Sequence, residues 1–186
     1  MISSNVMNGC DKFMSSKIIK DLVLQSKNGS AEAFAELYEL YSKDMYRFAY
    51  YYLGAAQRAE DCVSEAVLSA WQKIDTLKKA DSFKSWLFKI LYNCCNSALK
   101  EKIKAEENIE LSEVTYLKTK DTDPTERLSL TKALDTLSEQ DREILVLYYC
   151  SGYNSKEIGA MLNLKDSTVR SRILRSVEKL RQILTI

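Results

Sequence analysis

"NSKEIGAMLNLKDSTVRSRILRSVEKLRQIL", residues 154–184, decides how the rest of the chain is read. Apolar residues recur at steps of three and four on both sides of "NLK", which predicts a short helix over 155–162, a tight turn, and a longer helix from Asp166 to about Leu184. Two helices separated by three or four residues form a helix-turn-helix. Gly159 agrees with that geometry, because a glycine inside a helix costs about 1 kcal/mol against alanine and close approach of the next helix would offset the cost. Asn163 stands where the chain leaves the first helix and is one of the few residues besides glycine that tolerate a left-handed conformation. On the longer helix, Val169, Ile173, Val177, Leu180 and Leu184 form an inward stripe, so Arg170, Ser171, Leu174 and Arg175 face away. Such residues reach base edges when a helix of this kind enters the major groove, and arginine pairs bidentately with guanine. The helix start at Asp166, with the hydroxyls of Ser167 and Thr168, suits a phosphate, and Lys156 completes the candidate DNA-contacting set. An amphipathic terminal helix with a solvated basic face is the plain alternative; the spacing, the turn and Gly159 favour the helix-turn-helix.

Outward from this motif, one proline, five glycines and 46% hydrophobic residues in a chain of 186, with little period-2 alternation, predict an all-α protein. The most apolar run, around "FAYYYLGAA", is too short to cross a membrane, and the first residues lack a charged start followed by an apolar core, so a cytoplasmic location is expected. The five cysteines include no pair at CxxC spacing and there is no histidine, which argues against a metal site and against histidine-based catalysis. The cysteines read as small buried hydrophobes kept reduced. Asp61 and Glu65, four apart on a helix among other charges, read as a solvated pair. No catalytic constellation and no cofactor is expected, and the protein is not read as an enzyme.

Charge divides the chain where its sum of +1 conceals the division. Residues 1–100 carry 13 basic and 11 acidic residues, 101–127 carry 5 and 8, and 128–186 carry 9 and 7. The acidic middle holds Pro124 and loses apolar periodicity, so 101–127 reads as a linker between two small helical domains, 17–100 and 128–186, after a disordered tail over 1–16. A surface excursion within one domain would have the same composition. In the first domain Ser30 reads as an N-cap, Gly54 as a helix end, a second helix starts near Glu60 and buries Val63, Val67, Ala70, Trp71 and Ile74, and a third carries Phe83, Trp86, Leu87, Ile90, Leu91 and Cys94 on one stripe. With "KIIKDLVLQS" these make a four-helix module. In the second domain Ser138, three before Asp141, signals an N-terminus ahead of "EILVLYY".

Residues 138–184, "SEQDREILVLYYCSGYNSKEIGAMLNLKDSTVRSRILRSVEKLRQIL", resemble the promoter-reading domain of bacterial sigma-70 family factors, and "AFAELYELYSKDMYRFAYYYLG", "RAEDCVSEAVLSAWQKI" and "SFKSWLFKILYN" resemble their N-terminal core domain. Two domains without a middle one is the pattern of the extracytoplasmic-function group. The resemblance implies core RNA polymerase and promoter DNA as partners, with an anti-sigma factor as a candidate third, and a role in transcription initiation. It carries Asp61, Ser64, Glu65 and Leu68 onto the polymerase-facing side of the second helix. It carries Phe83, Trp86, Asn93, Asn96 and Lys100 onto the segment that handles the melted downstream strand, although its spacing places Trp86 in the core. It carries Arg170, Ser171, Leu174 and Arg175 onto the upstream-element readers. The chain departs from the family at Ser64, where glutamine is usual, at "NSALKEK" (96–102), where an acid and paired arginines are usual, and at Gly159 and Asn163, where alanine and glycine are commoner. Two other classes compete: a stand-alone helix-turn-helix regulator binding duplex DNA as a dimer, and a helical adaptor that binds only proteins. A near-neutral charge suits a factor delivered to DNA by polymerase, since a free-standing binder draws most of its affinity from neutralising phosphates.

Overall fold

The computed structural model describes residues 9–106 and 124–184, with side chains over 17–101 and 129–184. These residues form eight α-helices and two 3₁₀ turns, with no strand among them. No helix among them is long and apolar enough to cross a membrane.

The N-terminal unit comprises α1 (Gly9–Lys27), α2 (Ala31–Leu53), α3 (Ala56–Lys73) and α4 (Phe83–Glu106), with 3₁₀ turns at Ile74–Thr76 and Ala80–Ser82 before α4. Helix α1 begins at Gly9, inside the stretch read from sequence as a tail; residues 1–8 lie outside the described ones. Ser30 caps α2 by accepting from the Ala33 amide, and Gly54 ends it in the left-handed conformation with its amide on the Tyr50 carbonyl. The end of α1 is fastened to the loop after α3 by Lys27, whose ammonium donates to the Leu77 carbonyl at 2.6 Å, and Lys20 pairs with Asp81 at 3.0 Å. Leu37, Met45, Phe48, Ala59, Ala66, Phe88 and Leu91 form the fully buried centre.

The buried stripe of α4 is rotated from the expected one. Leu87, Phe88, Leu91, Tyr92 and Cys95 are buried with Phe83, while Trp86, Ile90 and Cys94 lie at the rim. Periodicity fixes the width of a stripe, and the neighbours on either side fix its rotation; here a helix of the second unit adds burial on the Tyr92 side. Val67 and Trp71 of α3 are likewise half-buried, Trp71 packing on Phe34 at 5.2 Å between ring centroids.

The C-terminal unit comprises α5 (Pro124–Asp135), α6 (Glu139–Tyr149), α7 (Ser155–Leu162) and α8 (Asp166–Leu184). Pro124, the residue taken to mark the linker, instead opens α5, a position where its missing N–H costs nothing. Helix α4 also runs on to Glu106, so both edges of the expected 101–127 linker are helical and 107–123 lies outside the described residues. Ser138 caps α6 by accepting from the Asp141 amide. Asn154 caps α7 in a full capping box with Glu157, a signature the sequence carries and the reading from Ser155 overlooked. Asn163 adopts φ 55°, left-handed as expected. The reason for Gly159 is sharper than helix proximity: a Cβ there would sit 2.6 Å from the Leu164 carbonyl oxygen, in the turn itself.

The two units share one continuous apolar cluster, with α6 lying against α2. Cys62 and Cys95 are buried, Cys94 and Cys150 half-buried, and all four are free thiols. Burial pushes the Cys94 and Cys150 thiols up to about 11, so both stay protonated at neutral pH.

Helix propensity alone predicts that Gly159→Ala stabilises the protein by about 1 kcal/mol. The 2.6 Å approach to backbone predicts the opposite sign, a loss of about 1–3 kcal/mol from overpacking, read as a lower midpoint in urea unfolding.

Candidate nucleic-acid interface

Helix α8 is held by its inner face. Val169, Ile173 and Ser176 are buried, with Val177, Leu180 and Leu184 half-buried beside them. Arg172, which the sequence did not single out, reaches back to α6 and donates to the Asp141 carboxylate at 2.8 Å, both side chains only about a quarter exposed. Asp141 in turn accepts from the Ser138 cap hydroxyl at 2.6 Å. Lys179 donates to the Thr136 carbonyl at the end of α5. These contacts fix the rotation of α8 about its axis, and so decide which residues point outward.

The outward residues are those expected. Ser167, Arg170, Ser171, Leu174 and Arg175 are exposed, Thr168 is half-buried, and Lys156 is exposed on the first turn of α7. Leu174 is 72% exposed, the most exposed large apolar side chain described. Asp166 organises the start of the face: one carboxylate oxygen accepts from the Ser155 hydroxyl across the turn, and the other pairs with Arg170 at 3.1 Å. The Arg175 Nε rests on the Ser171 carbonyl at 3.3 Å, a weak tether that leaves its guanidinium free to swing out. Guanidinium, hydroxyl and methyl-bearing groups thus stand together on one helix surface, the set that distinguishes base pairs in a major groove.

On α3, Asp61, Ser64, Glu65 and Leu68 are all exposed and follow one another at steps of three, one and three, opposite buried Val63, Ala66 and Ala70. Leu68 is 58% exposed at the end of this acidic strip. Gln57 donates to Asp61 at 3.3 Å.

On α4, Asn93 and Lys100 are exposed and Asn96 is half-buried, all three on one face. Phe83 is not on that face. It is 1% exposed, its ring against Tyr41 at 5.8 Å and Trp86 at 5.9 Å, and so belongs to the core as the first residue of α4. Trp86 keeps a half-buried place on the core's rim, which makes it the more accessible of the two rings.

Sequence reasoning missed the contacts between the units. The Glu143 carboxylate of α6 accepts from the Tyr52 hydroxyl of α2 at 3.0 Å and from the Tyr92 hydroxyl of α4 at 2.9 Å, both on the same oxygen. Burial, followed by the charge on Glu143, pushes the Tyr52 hydroxyl far above its ordinary range; burial and the bond to Glu143 push Tyr92 up to about 12. Both therefore remain donors. Tyr153, after α6, donates to the Ser85 carbonyl at 2.5 Å. Nothing in a sequence pairs residues 91 or 51 positions apart, although the run of tyrosines in "YYYL" gave a hint that this end of α2 has work besides core filling.

A helix-turn-helix with a basic outer face, carried by an all-helical chain with a second four-helix unit, defines a DNA-binding helical factor. Residues 37–103 match the family model for sigma-70 region 2, and residues 127–180 match that for sigma-70 region 4. The chain is 31% identical over 144 residues to the ECF RNA polymerase sigma factor EcfG of Rhodopseudomonas palustris, covering 75% of this chain and 78% of that protein. It is 28% identical over 179 residues to the ECF sigma factor SigW of Bacillus subtilis, covering 89% of this chain and 96% of the relative. Among solved structures, the sigma factor RpoE of Bartonella quintana, in complex with the anti-sigma factor NepR, shares the fold with a TM-score of 0.68 at 24% identity, over 84% of this chain and 99% of that one. The chain belongs to the ECF RNA polymerase sigma factors. It binds core RNA polymerase and promoter DNA and directs transcription initiation at promoters.

Arg172 and Arg175 stand three apart on α8, the first tied inward to Asp141 and the second on the exposed face. Arg172→Ala should lower stability by about 1 kcal/mol through the lost half-buried pair, visible as a lower melting temperature, and should leave base preference among promoter variants unchanged.

Proposed function

We propose that the roles in promoter recognition divide over three faces. Asp61, Ser64, Glu65 and Leu68 on α3 dock on polymerase. Asn93, Asn96 and Lys100 on α4 handle the melted downstream strand, with buried Phe83 supporting that helix from below. Lys156, Ser167, Thr168, Arg170, Ser171, Leu174 and Arg175 read the upstream element. The observation that carries this reading is the division of α8 into an inner face pinned by Val169, Ile173 and the Arg172–Asp141 pair and an outer face holding two arginines, Ser171 and an exposed leucine. An apolar side chain 72% exposed on such a face suits the methyl group of a thymine.

The functional units follow the helices: α1–α4 for polymerase and downstream element, α5–α8 for the upstream element. The protein's part is binding and positioning, and the bond-making chemistry belongs to polymerase; it is not itself an enzyme. It works in the cytoplasm, where polymerase and promoter are. Regulation by an anti-sigma factor is part of the proposal, supported by the solved complexes of Bartonella RpoE with NepR and of CnrH with the cytosolic domain of CnrY, the latter a fold match at TM-score 0.62.

Reconstituted transcription from a cognate promoter, with core polymerase and this chain, tests the assignment. Charge reversal of both Asp61 and Glu65 should abolish or sharply weaken co-purification with core enzyme and transcription, while the melting temperature stays within a degree or so, since exposed charges add little to folding. Full co-purification of the double variant would place the docking face elsewhere.

Arg175→Ala should cost about 1–3 kcal/mol at one upstream position and relax base preference there. Competition binding of polymerase-bound protein to a set of single-position promoter variants measures this. A uniform loss across the set would make Arg175 a phosphate contact.

A further inference from the structure

We propose that Asp166 is a specificity-determining positioning residue: its carboxylate holds the Arg170 guanidinium at one place on the outer face of α8 and withholds it from DNA phosphates. The inference rests on the assignment of Arg170 to the upstream element and names what governs that contact. The Asp166 carboxylate is bonded to both helices of the motif at once. One oxygen accepts from the Ser155 hydroxyl at the start of α7, and the other pairs with Nη2 of Arg170 at 3.1 Å. The two side chains differ in exposure, 27% for Asp166 against 63% for Arg170, so the anchor is sheltered and the group it holds is presented. The turn beneath the anchor is fixed. The Leu164 amide donates to the Gly159 carbonyl at 2.8 Å, Asn163 holds φ 55°, and a Cβ on Gly159 would meet the Leu164 carbonyl oxygen at 2.6 Å. Ser155 and Asp166 therefore face each other across a turn that has no room to repack.

An arginine on an exposed helix samples many rotamers, and ordering it on DNA costs entropy at the moment of binding. A carboxylate four residues earlier on the same face orders it beforehand. Arg175, by contrast, is tethered by a 3.3 Å contact of its Nε with the Ser171 carbonyl. The pair with Asp166 still leaves Arg170 most of its N–H donors, enough to reach O6 and N7 of a guanine without giving up the carboxylate. A phosphate is a poorer exchange. To grip one, the side chain has to swing away and leave Asp166 unpaired, and the carboxylate itself repels the DNA backbone. Asp166 thus lowers affinity for duplex in general and costs least where Arg170 finds its base, which is discrimination by a penalty on the wrong partners. A first-turn acid also complements the helix dipole, but that effect alone would stabilise α8 without touching base preference.

The test uses the full-length chain bound to core polymerase, in competition binding against single-position promoter variants and in a salt series on noncognate duplex. Asp166→Asn should lower discrimination by about fivefold or more at the one base pair that Arg170→Ala also affects, while the position that responds to Arg175→Ala keeps its preference. The same variant should bind noncognate duplex more tightly, with a salt slope steeper by about one, as the freed Arg170 takes up a phosphate. Asp166→Glu, which keeps the charge, should retain most of the discrimination. In an Arg170→Ala background, Asp166→Asn should change nothing further at that base pair. An unchanged profile in Asp166→Asn, beside an Arg170→Ala variant that flattens one position, overturns the inference and leaves the reading of Arg170 standing. So does an equal loss of affinity for cognate and noncognate duplex, which is the mark of a frayed α8. An Arg170→Ala variant with an unaltered profile overturns the reading of Arg170 itself, and the inference with it.

Discussion

Phe48 is the residue on which the two halves of the molecule converge. Fully buried near the C-terminal end of α2, its ring stacks on Tyr52 and meets the edge of Phe88 on α4, and Tyr52 meets Tyr92 one turn further along α4. Both tyrosines then end on Glu143 of α6. One line of aromatic contacts therefore runs through the α2–α4 pairing of the N-terminal unit and continues into the Glu143 carboxylate, which ties both tyrosines to the second unit. Dispersion and area burial hold the inner part of the line, hydrogen bonds the outer part. The inner part is permanent, because removing Phe48 would leave a large void in a close-packed interior. The outer part exchanges protein–protein for protein–water hydrogen bonds, a near-balanced change, and is the natural place for the structure to open.

Local signals in the sequence were read well where the physics is local. Ser30, Gly54, Ser138 and Asn163 each act within a few residues, and each stands in the cap or turn assigned to it. The outer face of α8 was legible for the same reason: a stripe at steps of three and four on one side leaves its complement on the other, and the complement is exposed. Gly159 shows how far such reasoning goes. Its position announced a close approach, but the partner is the Leu164 carbonyl of the turn, which no propensity could name. What the sequence withheld is non-local. The rotation of α4, which places Tyr92 and Cys95 inside and Cys94 at the rim, depends on a helix some fifty residues later, and the core position of Phe83 depends on Tyr41. Composition also set the edges of the acidic stretch without seeing the helices that run into them: α4 continues to Glu106 and Pro124 begins α5.

The departures from the family pattern have different weights. Ser64 sits on an exposed face beside Glu65, where a shorter polar side chain alters reach and leaves the fold alone. Asn163 performs the turn that glycine usually performs, with φ 55° as direct evidence. Asn96 lies where the two units meet, so its identity answers to the groove and, on the proposed assignment, to the melted strand as well. A substitution there carries two constraints at once, whereas one at Ser64 carries a single constraint.

The separation of α8 into a pinned side and a free side also governs which of its residues can change without cost to the fold. The contacts that orient the helix, from Val169 and Ile173 to the Arg172–Asp141 pair and the Lys179–Thr136 bond, lie on residues other than Arg170, Ser171, Leu174 and Arg175. Mutations at Arg170, Ser171, Leu174 or Arg175 therefore pass through selection with little penalty in folding. On the proposed assignment of these residues to the upstream element, a duplicated copy could drift to a new promoter set with its fold intact at every intermediate step, and the same freedom makes those positions the natural ones to randomise when an insulated regulatory circuit is to be built from this chain.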